Sequence, residues 1–434
     1  MFGRRTPRRL AAMTTIAALA LAGCSSPPAP SSSQGPSSVS LRMTMWTSSP
    51  AHLALFNTIA DKFKAENPEV KSITFDSVPL NNLDTVLTTQ LQSNDPPDLS
   101  WLPVEESQRF ISEGALVNVE PALKGAPGYD YADLLPRLQS DWRTSDAQYG
   151  VPFSTGSWVM FYNADIFKAA NLQSPREMIA NGTWDWAHFR AASKQIAQTQ
   201  KVPGYVLDSF DFKTWNRLVP LMYAYGASPW NATATQCTMN SPEMTAAMSL
   251  FHDMIYTDHS TPLPGQKADF WGGQAGATSA FLSSSALLKA ATFKWDVVPM
   301  PSGPAGDQQA MGQSAIVAFK AGHNPAVAAK FLAYLTNKDN GRLLAQFFPP
   351  SRDSLLTADD MAAASKVLSK DQLTPIVTAV RSSGKLIPIA RDAGHVADVM
   401  NSGLNQFIFQ PGANIPSGLN QMCAGLTPLL TASK

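Results

Sequence analysis

The sequence predicts an α/β protein built as two lobes. Three observations carry that reading. The apolar pattern after residue 40 runs strand–helix–strand–helix–strand, the signature of an α/β layer with a largely parallel sheet. About 395 residues follow that point, too many for one hydrophobic core. No period of 20–50 residues converts that length into a repeat array.

Residues 41–46 (LRMTMW) read as the first strand, closed by the polar turn Thr47-Ser48-Ser49-Pro50. Residues 51–66 carry Leu53, Leu55, Phe56, Ile59, Ala60 and Phe63 close to the helical period. Asn67-Pro68 ends that helix, because the residue before proline avoids the α region. Residues 70–78 form a second strand and 82–91 a second helix; Pro96-Pro97-Asp98 then leads into a short buried strand at 99–102. Residues 149–153 and 158–162 are extended, and helical patterns dominate from there to about 257. Strands at 293–300 and 314–319 enclose a turn at 301–306, and 325–336 is a helix ending at Asn337. After a loop at 347–353 the remainder reads as mainly helical. In such sheets the ligand crevice lies outside the strand C-termini, so the loops 47–52 and 103–107 are the ones to watch.

The N-terminus has the layout of an export signal. Arg4, Arg5, Arg8 and Arg9 precede an apolar run from 10 to 22, whose 13 residues fall short of the ~20 a membrane helix needs. The run ends in Leu21-Ala22-Gly23-Cys24, which resembles the bacterial lipobox. That resemblance implies cleavage before Cys24 and lipid attachment to its sulfur. Residues 24–40, rich in Ser and Pro, are expected to be an extended tether reaching at most ~50 Å.

Formal charge is balanced at 33 basic and 33 acidic residues, and no basic run follows the signal, so nucleic acid is not an expected partner. Apart from Cys24 there are two cysteines, Cys237 and Cys423. In an exported chain such a pair is expected to bond, with two separate buried thiols as the alternative; the Cα separation decides.

Residues 149–163 (YGVPFSTGSWVMFYN), continuing Ala-Asp-Ile-Phe167, resemble the most recognisable stretch of the family 1 extracellular solute-binding proteins. These are the sugar-binding subunits of ABC importers, similar to maltodextrin- and glycerol-3-phosphate-binding proteins. Other pieces agree in order: residues 97–101 (PDLSW), 112–116 (SEGAL), 183–185 (TWD), 270–277 (FWGGQAGA, read as a strand), 295–301 (WDVVPMP) and 311–316 (MGQSAI). The resemblance spans nearly the whole mature chain. It implies the two-lobe type II periplasmic-binding-protein fold, with three crossings near 152–154, 298–300 and 354–356. The N-terminal lobe would hold 41–153 and 301–354, and the C-terminal lobe 154–300 and 355–434. Hinge closure would trap a ligand between them.

A sugar site pairs aromatic faces with hydrogen-bonding side chains. Glu105 and Glu106 fall where the family places its acidic sugar contact, although acids also favour a helix start for local reasons. If both carboxylates point inward, a ligand carrying a donor or cation is favoured, such as an amino sugar. Ser48 and Ser49 sit on the loop after the first strand; Ser154, Thr155 and Trp158 sit at the first crossing. Asp211, Phe212 and Trp215 occupy the segment that resembles the family's sugar platform, and Trp230 either caps the cleft or fills a turn. Trp184 and Trp186 read as structural. Trp271, Arg352, Arg391 and Asp392 are further candidates. Gly394 and His395 stand where maltodextrin binders have an aromatic residue, which argues against maltodextrin itself.

The expected function is therefore that of a lipid-anchored substrate-binding protein, monomeric and outside the cytoplasmic membrane. It would pass a small carbohydrate to an ABC permease, without cofactor or metal. A binder of glycerophosphodiesters or polyol phosphates is the alternative, with Arg352, Arg391 and helix N-termini as phosphate donors. A glycoside-acting enzyme fits less well. The six histidines are scattered, no H-E-x-x-H or C-x-x-C occurs, and Gly312-Gln-Ser-Ala-Ile316 lacks the second glycine of a nucleophile elbow.

Overall fold

In the computed structural model of the chain, residues 38–47, 49–93 and 95–431 are described, so the signal, Cys24 and Ser48 lie outside the described residues. The first sheet contains β1 (Val39–Met45), β2 (Val70–Ser77), β3 (Leu99–Pro103), β4 (Gly150–Ser154) and β10 (Ser314–Ala318), in the order β2-β1-β3-β10-β4. β1 runs parallel to β2 and β3, while β10 is antiparallel to both β3 and β4. Four strands thus share one direction, as expected of the opening α/β pattern. β1 starts at Val39, so residues 39–40 belong to the sheet and not to the tether.

The second sheet has the order β6-β7-β5-β8, formed by β6 (Tyr205–Leu207), β7 (Ala277–Phe281), β5 (Trp158–Asn163) and β8 (Trp295–Pro299). Here β5 is antiparallel to β7 and β8, and only β6 and β7 are parallel. A two-stranded piece pairs β9 (Gln309–Met311) with β11 (Gly384–Leu386). The expected strand at 270–277 is a turn; the strand begins at Ala277, where pairing with Tyr162 and Tyr205 becomes available.

Both sheets are covered on two faces, and the strand period separates the cores. In β5, Trp158, Met160 and Tyr162 join the largest core, while Val159 and Phe161 join another with Val297, Phe270 and Ile376. In β10, Ala315 and Val317 face the first of these cores. Ile316 and Ala318 face the one built by Leu41, Met43, Phe56, Leu99 and Phe331. The helix Pro50–Glu66 contributes Leu55, Phe56, Ile59, Ala60 and Phe63 to that core, so its helical period has become a buried stripe. Its proline stands at the first turn, where no N–H is needed, and it stops at Asn67, whose side chain donates to the Phe63 carbonyl.

His52 on this helix is buried, with its ring 4.9 and 4.7 Å from those of Phe347 and Phe348 and Nδ1 2.9 Å from the Thr47 hydroxyl. Burial pushes its pKa down from 6.5 to about 4. Because the folded value lies below the unfolded one, its contribution to stability is full above pH 6.5. That contribution is lost as pH falls through 4, a change of about 3 kcal/mol. Urea titrations of His52→Gln between pH 7 and 4 should show a shallower loss of stability than the wild type; matching curves contradict this.

Two adjacent segments connect strands of different sheets. β4 ends at Ser154 and β5 begins at Trp158; β9 ends at Met311 and β10 begins at Ser314. The two segments are paired by Gly312 N–H donating to the Gly156 carbonyl at 2.9 Å and by a bridge between Ser157 and Met311. Gly156 has φ +52°, and a Cβ there would fall 1.9 Å from the Gly312 oxygen, so no other residue fits.

Cys237 and Cys423 form a disulfide that links the loop after Trp230 to the helix Ile415–Thr431, across 186 residues of sequence. Closing so long a loop restricts the unfolded chain, by about 2–5 kcal/mol. Cys237→Ser with Cys423→Ser should lower the melting temperature, and the same loss should appear on reducing the wild type; equal melting of both forms contradicts this.

Candidate ligand-binding site

β3 carries the chain to the C-terminal edge of the first sheet. Pro103 ends the strand, Val104 N–H bonds to the Gln313 carbonyl, and a short turn, Val104–Glu106, brings Glu105 to residues 215–218. Ser314 of β10 pairs with both Pro103 and Ser154, so the end of β3, the crossing and β10 share one edge. From the other side comes the turn Trp215–Leu218. It is held by Trp215 N–H donating to Asn401 Oδ1 at 2.9 Å and by Asn405 Nδ2 donating to the Phe212 carbonyl at 2.5 Å. The loop before it passes through left-handed backbone at Ser209, Asp211 and Phe212, a strain that the anchored turn keeps in place.

Between these elements Asn216 Nδ2 donates to Glu105 Oε1 at 2.9 Å, although 111 residues separate them. Arg217 is 7% exposed, and its guanidinium carbon lies 4.8 Å from the Trp158 ring and 5.1 Å from that of Phe281. Those two rings are paired across β5 and β7, with centroids 4.2 Å apart. Burial raises the Glu105 pKa, opposed by hydrogen bonds from backbone and Asn216 and by the Arg217 charge. Burial also lowers that of Arg217, against Asp208 and Glu105. Four buried polar atoms of this region have no hydrogen-bond partner: Trp158 Nε1, Asn216 Oδ1, Arg217 Nε and Trp230 Nε1. Buried polar groups are seldom left unmatched, and these supply three donors and one acceptor.

Of the residues picked from the sequence, this arrangement gathers Glu105, Trp158, Trp215 and Trp230, the last two with rings 5.5 Å apart. Trp271 is linked indirectly, its indole N–H donating to Asp208 at 2.9 Å. Glu106 is turned to a different partner: Arg109 donates to its Oε2 at 3.0 and 2.9 Å, so the two glutamates do not form an inward pair. Ser49 precedes the helix Pro50–Glu66, where its carbonyl accepts from His52 and Leu53. Ser154 Oγ accepts from Gly156 N–H, and Thr155 is wholly buried with its hydroxyl 3.1 Å from that of Ser157, so both serve the crossing. Asp211 is exposed, and Phe212 packs on Phe210 and Phe409. Asp392 caps the helix Ala393–Gly403 and pairs with His395. Arg391 is exposed.

Arg352 is committed elsewhere. It is 2% exposed, donates to the carbonyls of Tyr129, Asp130 and Thr336, and stacks 4.9 Å from the Tyr129 ring. Its donors fasten main chain and leave none for a phosphate. Removing them strands buried carbonyls, so Arg352→Met should cost roughly 3–5 kcal/mol in urea unfolding while leaving ligand affinity unaltered; a stable variant with weakened binding contradicts this.

Asn216, Arg217, Asp208 and Phe281 were not apparent from sequence. Neither was Trp46, half-buried at the C-terminal end of β1 with its ring 4.5 Å from that of Trp101 and in contact with two cores. The one available signal was the position of Trp46 at the end of a parallel strand.

The profile of the bacterial extracellular solute-binding proteins matches residues 46–342, and the chain belongs to that family. Members of the family are binding proteins. A putative binding protein of Brucella abortus (strain 2308) is 25% identical over 358 residues, covering 78% of this chain and 84% of the relative. The arabinooligosaccharide-binding protein of Bacillus subtilis (strain 168) is 23% identical over 347 residues, 74% of each chain. Among solved structures, the ABC substrate-binding protein of Listeria monocytogenes in complex with cycloalternan has a TM-score of 0.79 at 19% identity, over 90% of this chain and 98% of that one. That likeness establishes the two-lobe solute-binding fold. Among the described residues no helix is long and apolar enough to cross a membrane, and no cluster of His, Cys, Asp or Glu could hold a metal.

Proposed function

We propose that the chain is the substrate-binding lipoprotein of an ABC importer, taking a carbohydrate between its two lobes and presenting it to the permease. The carrying observation is the set of unmatched polar atoms around Glu105, Asn216, Arg217 and Trp158, where two sheets meet over stacked rings. An aromatic floor with convergent donors and acceptors suits a sugar, whose C–H faces pack on rings and whose hydroxyls both donate and accept. The Listeria protein is in complex with cycloalternan and the Bacillus relative is an arabinooligosaccharide-binding protein, which supports a carbohydrate here. The working site is Glu105, Trp158, Trp215, Asn216, Arg217 and Trp230, with Trp46 at its edge; short oligosaccharides and amino sugars are the first ligands to try. Residues 41–153 with 301–354, and 154–300 with 355–434, are taken as the lobes, except that residues 301–311, whose β9 pairs with β11, go with the second; Cys24 is taken as the lipid anchor on the outer face of the cytoplasmic membrane.

The second reading, a glycerophosphodiester or polyol phosphate, is favoured by one observation, the buried cation of Arg217. Thermal-shift screening of the mature chain against neutral sugars, amino sugars and glycerophospho-compounds separates the two, since a ligand bound only by the folded state raises the melting temperature. Carbohydrates alone should do so. Stabilisation solely by glycerophospho-compounds transfers the assignment to the second reading, and no stabilisation by any of them removes both.

A further inference from the structure

We infer that the Cys237–Cys423 disulfide positions the ligand site: through it the C-terminal helices hold the Trp230 ring against Trp215, and reducing the bond weakens ligand binding in a chain that stays folded. The inference rests on the ligand site proposed above and is separate from the stability that the bond confers. Trp230 and Cys237 stand directly opposite one another on the two arms of a short loop. Asn231 N–H donates to the Gln236 carbonyl at 3.0 Å on one side of the pair, and Thr238 N–H to the Pro229 carbonyl at 2.9 Å on the other. Residues flanked in this way form a non-hydrogen-bonded antiparallel pair, whose side chains leave the same face at close approach. Asn231 Oδ1 tightens the loop by accepting from the Thr235 and Gln236 N–H groups, and the Thr238 hydroxyl donates to the Ser228 carbonyl at 2.6 Å. A tether on Cys237 is therefore a tether on Trp230.

The other ring is held by the same helices. Asn401 accepts from Trp215 N–H and Asn405 donates to the Phe212 carbonyl, and both asparagines stand on Ala393–Gly403 and its continuation Leu404–Ile408. Against that segment lies Ile415–Thr431, which carries Cys423. The contact is close beside the disulfide, since a Cβ on Gly403 would fall 2.7 Å from Cγ of Met422, the neighbour of Cys423. Trp215 and Trp230, with centroids 5.5 Å apart and planes at 60°, thus hang from one frame. Asparagine hydrogen bonds fix the first and a covalent bond fixes the second. The Trp230 indole is buried with its N–H unmatched, so displacing the loop alters both the ring face and the donor available to a ligand.

Cys237 is half-buried beside exposed Gln236, whereas Cys423 is buried, so a dithiol attacks at Cys237. Its thiolate bonds to the Cys237 sulfur and Cys423 leaves as a thiolate that takes up a proton. The reagent's second thiol then closes its own disulfide and releases Cys237 as a thiol, two electrons having passed to the protein. The test compares the oxidised mature chain with the chain reduced by dithiothreitol, well below the melting temperature of either. Calorimetric titrations use arabinotriose, cycloalternan and glucosamine. Reduction should weaken binding about 3- to 10-fold, because the ligand must then order the Trp230 loop itself. In Trp230→Ala, reduction should cause no further loss, as expected when the bond acts through that ring. Two neighbouring indoles give an exciton couplet in circular dichroism, and the oxidised-minus-reduced spectrum should match wild type minus Trp230→Ala. Gly114→Ala, destabilised elsewhere, should bind as the oxidised wild type does. The reduction arm and its spectrum need no variant to fold. An affinity or couplet unchanged by reduction, an equal loss on reducing Trp230→Ala, or the same loss in Gly114→Ala overturns the positioning role and leaves the cleft standing. Binding of none of the three probes to the oxidised chain overturns the carbohydrate cleft and this inference with it.

Discussion

Glu105→Ala is expected to weaken binding of the screened ligand by between ~10- and ~150-fold, with little change in the unfolding of the free chain. The range is that of one charge-assisted hydrogen bond, about 1.5–3 kcal/mol. Glu105 offers one oxygen to Asn216, which stands on the Trp215–Leu218 turn, and the proposed site gives the other oxygen to a ligand donor. Truncation therefore removes the proposed ligand contact and also releases Asn216, whose Oδ1 is already unmatched. Because burial raises the carboxyl pKa, Glu105→Gln imitates its protonated form and should fall between wild type and Glu105→Ala. Calorimetric titration of the three proteins checks the order. Equal affinity in all three contradicts a ligand role for this residue.

Gly156→Val is expected to be the most damaging single substitution in the crossing, costing more than ~4 kcal/mol in urea unfolding or preventing folding. Two costs coincide. A branched residue at φ +52° is strained by its own backbone, and its Cβ would occupy the place of the Gly312 carbonyl oxygen. The second cannot be relieved by a rotamer change, because the obstacle is main chain paired to Gly156 itself. Gly114, at φ +68° with open space around the same position, isolates the first cost, so Gly114→Ala should lose only about 1–2 kcal/mol. Similar losses for the two variants contradict the packing argument at the crossing.

The fold was legible wherever a local period existed. Leu53, Leu55, Phe56, Ile59 and Phe63 announce a helix by spacing alone, and the strands at 70–77 and 314–318 are continuous enough to read. β6, β9 and β11 were not legible, because three residues carry no period and each strand exists through a distant partner, such as Ala277 for Tyr205 or Gln309 for Gly384. The site divides the same way. Glu105 could be found from its place after a parallel strand. Asn216 and Arg217 could not, since they stand in a short turn whose meaning depends on Glu105 and on rings at 158 and 281. Arg352 illustrates the reverse error: a loop arginine in a binding protein suggests a ligand contact, and only the three carbonyls around it reveal a structural role.

The most direct measurement is a crystal structure of the mature chain with the ligand that raises its melting temperature furthest. That ligand is expected between the Val104–Glu106 and Trp215–Leu218 turns, with polar atoms in hydrogen-bond reach of Asn216 Oδ1 and the Arg217 guanidinium and an apolar face against Trp158 or Trp230. A ligand seated on the outer surface of either lobe, with those four side chains untouched, contradicts it.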